Sequence, residues 1–236
     1  MSLAAINPDL CRPPLCAETS GKLRSIARDF CDEEGGCHGP DHGLRVEKTC
    51  LFIGTVMGAR LDILQAAAIL HDIGRGYETS SRGEICHAEK GAQLSRDILA
   101  ACGFARHDIR AICHAIRCHR FRGTNIPESL EARILFDADK LDSIGAVGIG
   151  RAFLFAGQIG AKLHNDSRDI SATTSYSPND TAYREFKVKM CKVKERMLTP
   201  VGRQLASERH DFMDIFFQRL DKEIFGSQGN GGHPSG

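Results

Sequence analysis

Apolar positions recur every three or four residues along most of this chain, and the periodicity predicts a succession of helices. Leu23, Ile26, Ala27 and Phe30 share one face of a helix that Thr19 or Ser20 can cap; it runs to about Glu34, where Gly35-Gly36 breaks it. The next helices run from about Pro40 to Ala59 and from Asp62 into His71. His87 to Cys102 and Arg106 to His119 form two more, separated by Gly103. Pro127 opens another, PESLEARILFDADKL, with acidic residues in its first turn as helix N-termini prefer. Further helices follow at about 143–160, 179–197 and 199–225. Strand signals are nearly absent, and no repeat or internal linker interrupts the pattern. The expected architecture is all-α: a single compact helical bundle over residues 19–225, preceded by an irregular arm (1–18) and followed by a flexible Gly-rich tail (226–236).

Composition narrows this picture. With 236 residues, 42% of them apolar, the chain can bury a sizeable core. Lys and Arg (31) nearly balance Asp and Glu (30), so no global field recruits nucleic acid or an anionic membrane. No apolar run approaches the ~20 residues of a membrane span, and the N-terminus does not read as a signal peptide. The ten cysteines include no CxxC pair, and Cys50, Cys86, Cys102 and Cys113 fall within helical patterns. They read as reduced, mostly buried thiols of a cytoplasmic protein.

One segment breaks the helical logic. QAAAILHDIGRG (65–76) is an apolar helix that ends in His71-Asp72 before Gly74. Buried charges are costly unless paired or metal-bound, so the doublet calls for further ligands elsewhere in the chain. His42 lies in DHGLRV, His87 in CHAEKGAQL, His114 and His119 in CHAIRCHRF, and Asp139 in FDADKLDSIG. Each lies at a helix end, or about one turn from it, beside core-facing residues. Five histidines and two aspartates on five helices of one domain are hard to explain as independent core oddities. Imidazole and carboxylate donors without thiolate suit Fe, Mn, Zn, Ni or Mg.

These residues carry a resemblance. DHGLRV, AAILHDIGR, HAEKGA, HAIRCHRFR and DADKLDSIGAVGIGRAF follow one another as in bacterial and archaeal members of the HD-domain superfamily of metal-dependent phosphohydrolases, across roughly residues 38–225. The resemblance implies that His42, His71, Asp72 and Asp139 bind a first divalent ion. It further implies that Asp72 bridges to a second ion held by His87 and a histidine of the 114–119 segment. His114 and His119 lie about 140° apart around a helix, so both do not face one ion. His119 is favoured because it ends its helix, with His114 then a partner that orients it.

Two such ions lower the pKa of a bridging water from about 16 towards ~7 and stabilise charge developing on a phosphoryl group. Asp72, His87 and Arg75 are the catalytic candidates. Arg75 stands where many HD proteins carry Lys or Arg, and is the first candidate for binding phosphate. Lys140, Arg120 and Arg122 are the further substrate-binding candidates, with Arg45 and Arg117 behind them.

The implied activity is hydrolysis of a nucleotide or another small phosphorylated metabolite, with no membrane and no nucleic-acid partner. The GYP sequence of cyclic-dinucleotide phosphodiesterases is absent after CHRFRG. One rival reading, a diiron oxygenase, uses the same ligand set; another, a non-catalytic nucleotide-sensing module, predicts damage to that set, and no damage is visible. GAVGIGRAFLFAGQIGA (145–161) lacks a phosphate-loop pattern and reads as small residues for close helix packing. The basic run YREFKVKMCKVKERM (183–197) reads as a solvated amphipathic helix.

Overall fold

A computed structural model of the chain describes residues 12–30, 40–120, 125–165, 170 and 173–226. Among them there are ten α-helices, two short 3-10 helices and no strand. The described chain falls into two units: one reaching to Asp142 and including Met197–Arg203, the other Ser143–Arg196 with Gln204 onward.

The first unit is built around a helix that is buried on nearly every side. Helix α3 (Leu61–Leu70) contacts α1 (Ala17–Arg28), α2 (Pro40–Met57), α6 (Arg106–Cys118) and α7 (Leu130–Leu141). Ala66, Ala67 and Ala68 are completely buried, and side chains this small let neighbouring helices close on α3 from several sides. The buried Gln65 is satisfied: its amide donates to Glu47 (2.8 Å), and its oxygen accepts from the Leu15 amide (2.8 Å). Arg24 clamps the same Glu47 at 2.6 and 3.1 Å. The backbone of residue 15 is thus tied to α3, and α1 begins at Ala17, two residues before the expected cap.

Other boundaries differ from the sequence reading for local reasons. Ser129 caps α7 by accepting from the Ala132 amide, so the helix starts at Leu130 rather than at Pro127. Helix α5 (His87–Ala101) and α6 fall close to expectation. An unforeseen six-residue helix, α4 (Arg75–Ser80), lies between the His-Asp doublet and α5. Asp137, fully buried in α7, accepts from the Leu198 and Thr199 amides (2.8 Å each) and the Thr199 hydroxyl (2.7 Å). It thereby seats the segment that starts α10 (Pro200–Phe225).

In the second unit, α8 (Gly145–Gln158), α9 (Ala182–Val188) and α10 share an aromatic core. Phe186 stacks on Phe217 at 4.4 Å, and Tyr183 and Phe216 meet Phe217 edge-on. Met213 and Phe217 are buried, whereas Phe212 and Ile215 are exposed. A Cβ at Gly148 would lie 2.4 Å from the Ser143 carbonyl oxygen, so this glycine serves close backbone packing. Past α9 the basic run breaks into 3-10 helices at Met190–Lys192 and Lys194–Arg196 instead of one long helix. No described helix is long and apolar enough to cross a membrane. The seven described cysteines are free thiols.

The α3–α4 turn lies against the start of α5. A Cβ at Gly74 would fall 2.2 Å from the His87 carbonyl oxygen and 2.7 Å from the Gly91 nitrogen, both backbone atoms. Gly74→Ala is therefore expected to cost about 1–3 kcal/mol, read as a fall of several degrees in Tm. At Gly76 an added Cβ meets nothing within 4 Å, so Gly76→Ala should leave Tm unchanged or slightly raised. Equal effects of the two changes in a thermal melt would contradict this packing.

Candidate metal centre

Helix ends bring the site together. His42 lies in the first turn of α2, His71 is the C-cap of α3 with Asp72 next to it, His87 opens α5, and His119 is the C-cap of α6. Asp139 lies in the last turn of α7, whose C-cap is Asp142. The four imidazoles are buried, none more than 2% exposed.

They face one another in two pairs. His42 Nε2 and His71 Nε2 are 3.3 Å apart, and His87 Nε2 and His119 Nε2 are 3.1 Å apart. Asp72 lies between the pairs. Its Oδ2 is 3.8 Å from His42 Nε2 and 3.7 Å from His71 Nε2. Its Oδ1 is 3.5 Å from His87 Nε2 and 3.7 Å from His119 Nε2. Asp139 Oδ1 joins the first pair, 3.4 Å from His42 Nε2. Two donor groups result, His42/His71/Asp72 and Asp72/His87/His119, each with its ligand atoms within 4.8 Å of one another.

The outer nitrogen of every ring meets an oxygen. His71 Nδ1 lies 2.7 Å from the Ala68 carbonyl and His119 Nδ1 2.6 Å from that of Ile116. His42 Nδ1 lies 2.7 Å from Asp142 Oδ2, and His87 Nδ1 2.6 Å from Glu78 Oε2. Carbonyl and carboxylate oxygens can only accept, so each Nδ1 carries a proton, and each ring in its neutral form points an Nε2 lone pair inward. Two lone pairs at 3.1–3.3 Å repel unless a proton or a metal ion lies between them. Donors about 2.0–2.2 Å from a common ion lie roughly 3–3.5 Å from one another. The residues present therefore fit divalent metal ions in both groups.

The electrostatics agree. Burial pushes the His71 imidazole down to about 4, reinforced by the neighbouring His119 and His42. Burial and then Arg75 hold His87 down at about 3. Burial would also lower His42, but hydrogen bonds to Asp139 and Asp142 outweigh it and lift this imidazole to about 9. Burial opposes ionisation of Asp72, yet His71, His119 and Arg75 hold its carboxyl well below the usual range. Asp139 is likewise ionised, against burial, chiefly by Lys140 and His42. His71 and His87 are thus neutral beside anionic Asp72 and Asp139, the forms that bind metal, while an ion bound at the first pair would displace the extra proton that His42 holds.

Of the cationic candidates, Arg75 reaches both Asp72 oxygens through Nη2 (2.8 and 3.0 Å) and Glu78 through Nη1 (3.3 Å). Arg120 pairs with the other oxygen of Glu78. Lys140 pairs with Asp139 at 2.5 Å and reaches the His119 carbonyl at 3.4 Å. Arg45 is bidentate to Asp142, and Arg117 pairs with Glu89 at the surface. Arg122 lies outside the described residues. His114 is not brought to the cluster. The rotation around α6 turns it towards Cys118 (3.7 Å) and the Glu128 amide (3.3 Å), and the contact that orients His119 is the Ile116 carbonyl.

Two carboxylates of the site were not singled out in the sequence. Asp142 follows Asp139 by three residues, and nothing in that spacing marks the contact with His42. Glu78 sits in the short polar stretch RGYETS, which carries no apolar stripe to orient it.

The HD domain family pattern matches residues 41–144, the span from the start of α2 to just past Asp142. The protein YpgQ of Bacillus subtilis is 32% identical over 210 residues, covering 87% of this chain and 93% of its own. A crystal structure of YpgQ in complex with ADP superposes with a TM-score of 0.68 at 28% identity, over 89% of this chain and 96% of that one. A predicted HD superfamily hydrolase from an uncultured Thermotogales bacterium superposes with a TM-score of 0.62 at 29% identity, over 89% and 94% of the two chains. In its sequence, its all-helical fold and the residues gathered around Asp72, this chain belongs to the HD-domain superfamily.

Proposed function

We propose that this chain is a metal-dependent phosphohydrolase acting on a nucleotide or another small phosphorylated metabolite. The observation that carries the reading is the split carboxylate of Asp72, with one oxygen turned to each pair of inward-facing imidazoles. His42, His71, Asp72 and Asp139 would hold a first divalent ion, and Asp72, His87 and His119 a second. Bound there, such ions supply charge neutralisation and a water acidic enough to attack a phosphoryl group near pH 7.

The chain's own residues do the positioning. Arg75 is part-exposed beside Asp72 and offers a planar fork that matches phosphate oxygens. Arg120 and Lys140 border the same centre from α6 and α7 and add positive charge where a polyphosphate is to lie. Asp72 and His87 act by placing their donor atoms. The ADP complex of YpgQ supports a nucleotide among the candidate substrates.

Metal-stripped protein reloaded with Mn²⁺ is expected to release phosphate or pyrophosphate from members of a nucleoside mono-, di- and triphosphate panel. Asp72→Ala should lower the rate by about a thousandfold or more, because several kcal/mol of charge stabilisation are lost. Reloaded wild type that hydrolyses nothing in that panel or among common phosphomonoesters would contradict the reading. Arg75→Ala is expected to raise KM about tenfold or more, since a charge-assisted hydrogen bond contributes about 1.5–3 kcal/mol. Steady-state kinetics of the variant test this, and an unchanged KM would remove Arg75 from the phosphate site.

A further inference from the structure

The two donor groups are constructed alike. In the first, one oxygen of Asp142 lies 2.7 Å from His42 Nδ1 and the other 2.6 Å from Arg45 Nε. In the second, Glu78 Oε2 lies 2.6 Å from His87 Nδ1, while Oε1 takes the Arg120 guanidinium. Each group thus has one imidazole backed by a carboxylate–guanidinium pair. Its other imidazole is backed by a main-chain carbonyl, of Ala68 or of Ile116. The two backing carboxylates come from different helices, α7 and α4, so the duplication is not a by-product of one element's geometry.

Glu78 does more than its counterpart. Through Arg75 Nη1 (3.3 Å) it is tied to the guanidinium that grips Asp72. Asp72, Arg75, Glu78 and His87 therefore form a closed ring of contacts, completed by the 3.5 Å approach of His87 Nε2 to Asp72 Oδ1. Loss of the Glu78 charge weakens the acceptor that holds the His87 tautomer and loosens Arg75 and Arg120 together.

We propose that Glu78 is the positioning residue of the second donor group: its carboxylate fixes His87 with Nε2 inward and thereby sets the affinity for the second ion. This rests on the reading of the site as a two-ion centre. An outer carboxylate that orients a metal-bound histidine typically contributes 10–100-fold in affinity. Glu78 meets His87 at Nδ1 rather than at the inward donor Nε2, so its effect is on ion binding and geometry first.

The test is equilibrium Mn²⁺ binding to chelator-stripped wild type, Glu78→Gln and Asp142→Asn, by calorimetry with the bound metal counted after dialysis. His87→Ala identifies which binding step belongs to the second group. Wild type is expected to take two ions. Glu78→Gln should weaken the step lost in His87→Ala by about 10–100-fold and leave the other within about twofold, while Asp142→Asn shows the reverse. Retention of one normal site in each variant also reports that it is folded. Two unchanged steps in Glu78→Gln, or equal weakening of both, would overturn the inference while leaving the metal centre standing. A wild type that binds no metal would overturn both.

Discussion

Everything in the site depends on keeping one carboxylate ionised inside a cluster of buried imidazoles. A lone charge at the position of Asp72 would be prohibitive in a low-dielectric interior. Asp72 is tolerable because both its oxygens are engaged: Arg75 grips them from one side, and each faces an imidazole pair on the other. The same requirement explains why His71 and His87 are neutral. Four protonated rings within van der Waals reach of one another would repel strongly, and burial resolves the conflict by stripping the protons from His71 and His87, with Arg75 adding to the effect at His87.

The fold meets this requirement with helix ends rather than helix faces. A helix face offers one residue per turn, whereas ends at α2, α3, α5 and α6 point their terminal side chains into one small volume. The alanine run of α3 allows its neighbours to close in, and Gly74 lets the turn after the His-Asp doublet lie against the backbone of α5. Main-chain carbonyls in the last turns of α3 and α6 then orient His71 and His119. Two of the four imidazoles are thus aligned by the backbone itself.

Much of this was legible in the chain. Period-3.6 apolar positions locate the long helices within a few residues, and the polar doublet closing an apolar helix points to buried chemistry. The order of His42, His71-Asp72, His87 and Asp139 carries the family resemblance. The position of His119 at the end of its helix separates it from His114, and the structure puts His119 beside Asp72 while His114 faces Cys118. What was not legible has a common physical character. Helix α4 is too short and too polar to show a period, so Glu78 gives no sign of folding back towards His87. Asp142 looks like an ordinary C-cap because its partner, His42, is a hundred residues away. The start of α7 depends on a single serine hydroxyl outcompeting a proline signal two residues earlier. Long-range partners and single-bond decisions leave little trace in local pattern.

In the proposed two-ion centre, Asp72 would sit between two metal ions. Crystals grown with Mn²⁺ and measured for anomalous scattering test it without reference to any substrate. Two peaks are expected about 3.5–4 Å apart, one on the His42/His71/Asp139 side of Asp72 and one on the His87/His119 side. A single peak, or no peak within bonding distance of either Asp72 oxygen, would contradict it.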